Sequence, residues 1–110
     1  MKIRYYKTVT GRSPIEDFLS TLSIEIKEDY FDAEDRLAQG ENLTMPLSKP
    51  LSNIHKNLHE LRFKDVAGIY RFFYFIRRKD AIYILHAVKK KTQKIATKEK
   101  KIILKRIKEI

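Results

Sequence analysis

The chain has 110 residues and a formal net charge of +10, from 24 Lys and Arg against 14 Asp and Glu. One domain with a single core is expected at this length, and 43% hydrophobic content can fill it. The absence of cysteine excludes disulfides and thiolate metal sites, and no apolar run approaches the roughly 20 residues of a membrane span.

So positive a chain calls for an anionic partner. Nucleic acid is the commonest; a membrane surface and an acidic protein compete with it. The N-terminus, Met1 to Lys7, lacks the long apolar stretch of a signal peptide, so a cytoplasmic location is expected.

Ile3–Lys7 alternates apolar and polar residues and predicts a first strand, with Gly11-Arg12 as the turn out of it. Ser13-Pro14-Ile15-Glu16 is a helix start. Ser13 can cap free amides, Pro14 suits the first helical position, and Glu16 completes a capping box. This short helix ends near Ser23. A second helix is predicted from Ile24 to Gln39, with Ile26, Tyr30, Ala33 and Leu37 on one face and Gly40 as its stop. Glu25, Glu28, Asp29, Asp32, Glu34 and Asp35 make its other face acidic, which reads as a solvated surface. Glu41–Asn53, with Pro46 and Pro50, reads as a surface loop.

Three strands follow: Leu58–Phe63, Ile69–Arg77 and Ala81–Val88, all rich in Ile, Phe, Tyr and Val. Both faces of the middle one are apolar away from Arg71, so layers should cover both sides. Helices should cover one face, and the last helix or a partner protein part of the other. That last helix, Thr97–Ile110, is basic, with Ile103, Ile107 and Ile110 in one stripe.

Register follows from the turns. With Lys64 facing Ile69, Arg62 lies opposite Arg71. With Arg77 facing Asp80 across Arg78-Lys79, Arg71 lies opposite His86. The expectation is one row of Arg62, Arg71 and His86 across three antiparallel strands. Opposed side chains sit about 5 Å apart, where two cations repel by roughly 3 kcal/mol at an effective dielectric of about 20. Such a row suggests an anion above it. Two plainer readings stay open: Glu60, diagonal to Arg71, could neutralise it, and His86 could be a satisfied histidine at a strand end. The three histidines make no strong metal pattern. His55 and His59 would align on a helix, but their segment reads as a strand start.

Taken together, Leu58-His59-Glu60-Leu61-Arg62, Gly68 to Tyr74, Leu85-His86-Ala87 and Lys90-Lys91-Thr92-Gln93-Lys94 resemble the HigB-type branch of the RelE/ParE toxin superfamily. The resemblance spans nearly the whole chain. The family usually has a proline after the last run, where this chain has Ala96. The fold implied is a single α+β, RelE-like domain: an N-terminal strand, two helices, a three-stranded antiparallel meander and a C-terminal helix. The function implied is that of a type II toxin cleaving mRNA, commonly on the ribosome, without metal or other cofactor. Its implied partners are a cognate antitoxin, often with a helix-turn-helix domain, and mRNA on the ribosome. A ParE-like inhibitor of DNA gyrase and a non-catalytic RNA-binding module are the alternatives.

Metal-free RNA cleavage needs an in-line 2′-hydroxyl, stabilised charge on the phosphate, and a proton for the 5′-oxygen. Arg71, then Arg62, suits the second task, because a planar fork can hold two phosphate oxygens. His86 titrates near neutrality and is the candidate acid or base. Nearby cations would favour its neutral form, which suits a base. Lys91 is a further candidate for proton transfer. Lys64, Lys89, Lys90, Gln93 and Lys94 are expected to hold the RNA. The products expected carry a 2′,3′-cyclic phosphate and a 5′-hydroxyl.

Overall fold

A computed structural model describes residues 1–78, 81–90 and 94–110. In chain order it contains β1 (Lys2–Tyr5), α1 (Pro14–Ser20), α2 (Ile24–Ala38), β2 (Ser48–Pro50), β3 (Leu58–Asp65), β4 (Gly68–Arg77), β5 (Ala81–Lys90) and α3 (Thr97–Glu109). This is a mixed α+β fold with one five-stranded sheet, ordered β1-β5-β4-β3-β2. The β3–β4–β5 meander is antiparallel, as expected. β1 runs parallel to β5, which the long excursion through α1 and α2 permits.

The fifth strand corrects the loop reading of Glu41–Asn53. Ser48, Lys49 and Pro50 pair with Leu61, Glu60 and His59. Pro50 is tolerated because β2 is an edge strand.

The sheet is covered on both faces. Leu61, Phe63, Tyr70, Phe72, Tyr74, Ile82 and Ile84 meet Ile15 and Leu19 of α1 and Ile26, Tyr30, Ala33 and Leu37 of α2. On the other face, Leu58, Phe73 and Leu85 pack with Ile103 of α3. The expected stripe on α3 is therefore spent on the domain itself. Ser13 caps α1 through its hydroxyl, which accepts from the Glu16 amide at 3.4 Å, as its sequence indicates. Glu34 departs from the acidic face assigned to it. It is half-buried and accepts from the Tyr30 hydroxyl at 3.5 Å.

α3 begins less well. Its N-cap is Ala96, with extended backbone and no side-chain bond to the free amides. Ala96→Ser supplies the missing acceptor and is expected to stabilise the chain by about 1 kcal/mol. That corresponds to a rise of about 4 °C in thermal midpoint, measurable by circular dichroism.

Candidate functional site

The β3–β4 hairpin closes on Asp65, whose carboxylate accepts from the Ala67 and Gly68 amides at 2.8 and 3.2 Å. That turn sets the register, and Arg62 does lie opposite Arg71. Both point to the face that carries α3. Glu60, two residues before Arg62 on the same side, sits between them. Its Oε1 is 3.4 Å from Nε of Arg62 and 3.4 Å from Nε of Arg71. Side-chain exposure separates the two arginines: 21% for Arg62, against 1% for Arg71 and 4% for Glu60. Burial raises the Glu60 carboxyl, and Arg71 and Arg62 oppose it. Burial likewise lowers Arg71, opposed by Glu60. One carboxylate thus holds two arginines at once in a nearly dry setting, with Arg62 the route to solvent.

The third member of the expected row is elsewhere. Arg71 faces Val88, and His86 faces Phe73. Two offsets cause this. Arg77 pairs with Ala81 rather than Asp80, and a β-bulge lies where the pairing passes from Tyr74–Ile84 to Phe73–His86. The first offset alone would have turned β5 over. The bulge adds one residue, Leu85, and restores the parity, so His86 keeps the face of Arg71 but lies two pairs further along.

His86 is held tightly there. Its ring stacks on Phe73 with centroids 6.0 Å apart. Nε2 lies 2.9 Å from Glu99 Oε1, and Nδ1 lies 3.3 Å from Nη1 of Arg106, which also donates to the Leu85 carbonyl at 2.8 Å. Arginine can only donate, so Nδ1 is the acceptor and Nε2 carries the hydrogen given to Glu99. Burial pushes the His86 pKa down; Glu99 opposes this and Arg106 adds to it. Burial works against ionisation of Glu99, but its bonds to His86 and Lys90 outweigh that and hold its carboxyl below the usual range.

The neutral imidazole has a consequence for stability. The unfolded chain takes up this proton near pH 6.5, and the folded chain resists it. The stabilising effect is therefore complete above about 6.5 and is lost as pH falls from there toward the folded pKa. Thermal midpoints measured at pH 7.5 and 5.5 are expected to fall with acid in the natural chain, and to fall less in His86→Gln. His59, also lowered by burial, accounts for part of the remainder. An equal fall in both proteins would contradict the neutral assignment.

The other expected residues divide. Lys64 is exposed and faces Ile69, which in turn faces Lys90, so both lysines flank the arginines two pairs toward the hairpin tip, on the same face. Lys90 Nζ is 3.5 Å from Glu99 Oε2. Lys89 lies on the opposite face, over the Tyr70 ring at 5.5 Å, and is not brought to the row. Lys94 is exposed ahead of α3. Lys91 and Gln93 lie outside the described residues. Beside the arginines, Pro46, Leu47, Arg62, Phe63, Lys64 and Ile69 line a cleft of about 400 Å³.

Glu99 and Arg106 were not foreseen from sequence. The signal was present: they share a helical stripe with Ile103, at spacings of four and three, and so face the sheet wherever Ile103 does. Among the described residues no three His, Asp or Glu side chains are grouped to hold a metal ion, and no helix is long and apolar enough to cross a membrane.

A small α+β domain with paired arginines on one sheet face is thus the class that fold and site define. The family model "Phage derived protein Gp49-like (DUF891)" matches residues 17–108, which include every element that builds the site. The chain belongs to this phage-derived Gp49-like family, whose members are commonly toxin-like and fall within the RelE/toxin-like superfamily. No curated protein matches the chain.

Proposed function

We propose that the chain is the toxin of a type II toxin–antitoxin pair, of the HigB-type branch, and that it cleaves mRNA on the ribosome without a metal ion. The observation that carries this reading is the opposed Arg62–Arg71 pair, pinned by Glu60 beside an open cleft and flanked by Lys64 and Lys90. A phosphodiester placed there meets donors already fixed in position. Charge that grows on its oxygens is then stabilised at little reorganisation cost.

Arg62, the more exposed, touches the phosphate. Arg71, buried and ion-paired, fixes the position of Glu60 and adds its charge. Lys64 and Lys90 hold the flanking backbone. His86 is the titrating group of this face, in its neutral form, but both ring nitrogens are engaged. It accepts a proton from a 2′-hydroxyl only when Arg106 leaves Nδ1. Lys91 is the other proton carrier we assign. With the 2′-hydroxyl as nucleophile, the products carry a 2′,3′-cyclic phosphate and a 5′-hydroxyl.

A cognate antitoxin, with a helix-turn-helix domain as is common in this superfamily, is the partner we assign, on the toxin-like character of the Gp49-like family. Purified protein added to a reconstituted translation reaction tests the enzyme directly. New cuts in the message support the reading. Loss of gyrase supercoiling activity without cuts would assign the chain to the gyrase poisons instead.

A further inference from the structure

A second group of cations lies on the α3 face, at the other end of β4. Arg77 is about 20 Å along the strand from Arg71, at roughly 3.3 Å per residue. There Lys2, Arg4, Arg77, Arg78, Ala81 and Tyr83 line a concavity of about 330 Å³. The sheet brings them together: Lys2 pairs with Ala81, Arg4 with Tyr83, and Arg77 with Ala81. Lys2, Arg4, Arg77 and Arg78 are all exposed. Among the described residues no carboxylate pairs with any of them, whereas Arg12, Arg36, Arg62, Arg71 and Lys90 each have one. Arg78 adopts φ 59, a left-handed conformation uncommon for arginine.

We infer that this concavity is a second anion site, and that its ligand is the phosphodiester backbone of structured RNA. Three of its four cations are arginines, whose forks match phosphate oxygens. Its location on the sheet face of the Arg62–Arg71 pair lets one polyanion run across both. α3, on that face, adds exposed Lys98, Lys101, Lys105 and Lys108. The opposite side, covered by α2, presents exposed Glu25, Glu28, Asp29, Asp32 and Asp35. The molecule therefore turns one face toward a polyanion and repels it with the other. The site reads backbone and not bases. Its aromatic ring, Tyr83, is covered by the Arg77 guanidinium at 5.9 Å and offers no open stacking platform. Contacts of this kind position a nucleic acid without reading its sequence.

The test uses the full chain and a 20-base-pair RNA duplex, in two unrelated sequences, with binding followed by fluorescence anisotropy from 50 to 200 mM KCl. In the triple variant Arg4→Ala, Arg77→Ala, Arg78→Ala, the slope of log K against log salt is expected to become shallower by about 2–3. Affinity at 150 mM is expected to fall at least about ten-fold, equally for both sequences. Circular dichroism checks that the variant is folded; a single Arg77→Ala, expected to move the slope by about 1, serves if it is not. An unchanged slope overturns the proposal. So does a loss confined to polyglutamate as probe, which would assign the patch to an acidic protein. The measurement is independent of cleavage: a chain that cuts nothing but shows the slope change ends the nuclease reading and leaves this site standing.

Discussion

Replacing Arg62 with alanine is expected to lower mRNA cleavage by about 10²–10³-fold while the chain stays folded. Arg62 is the half-buried partner in the pair, so its guanidinium reaches both Glu60 and solvent. Removing it takes away a charge aimed at the phosphate and leaves Glu60 still paired with Arg71. Arg71→Ala is expected to lose as much activity but also stability, because buried Glu60 loses one of its cations and a large, fully buried side chain is emptied from the face. Arg71→Lys separates the two effects. It keeps the charge and loses the fork, so folding is expected to recover more than cleavage. The readouts are the cutting rate on one message in a purified translation reaction, and thermal melting. Wild-type cleavage by folded Arg62→Ala would remove that residue from the mechanism.

Glu60→Ala is expected to destabilise the chain by about 3 kcal/mol. The thermal midpoint should drop on the order of 10–20 °C. The cause is what stays behind: Arg62 and Arg71, directly opposed, with their shared carboxylate gone. Glu60→Gln keeps the shape and an acceptor oxygen, so it should fall between the two. The mechanism also predicts a rescue. Inorganic phosphate should raise the midpoint of Glu60→Ala by more than that of the natural chain, since it can occupy the lost carboxylate's place. Equal midpoints for Glu60→Ala and the natural chain, without phosphate, would mean that the trio contributes nothing to stability.

The legible part of the site was the part set by local chemistry. Asp65 and Gly68 close a tight hairpin, so the pairing of Arg62 with Arg71 followed by counting. The placement of His86 did not, because two errors of counting combined. The turn after Arg77 holds one more residue than the tight form assumed, and the bulge adds Leu85. A bulge of ordinary apolar residues leaves no mark in composition. β2 escaped for a similar reason: Ser48-Lys49-Pro50 has no strand character and is extended because β3 offers it an edge. The contacts of α3 were legible in principle. Its isoleucine stripe stands out in the sequence, whereas Glu99 and Arg106 on the same stripe do not stand out from the many charged residues around them. Glu34 is a similar case on α2, where a neighbouring tyrosine hydroxyl decides the side chain's direction.

The proposal that the arginine pair cleaves mRNA is tested most directly by mapping RNA ends in cells after brief induction of the natural chain and of Arg62→Ala. The account predicts new breaks within coding regions, with 2′,3′-cyclic phosphate on one side and 5′-hydroxyl on the other, for the natural chain and almost none for the variant. Growth arrest by the natural chain with no new RNA ends would contradict it.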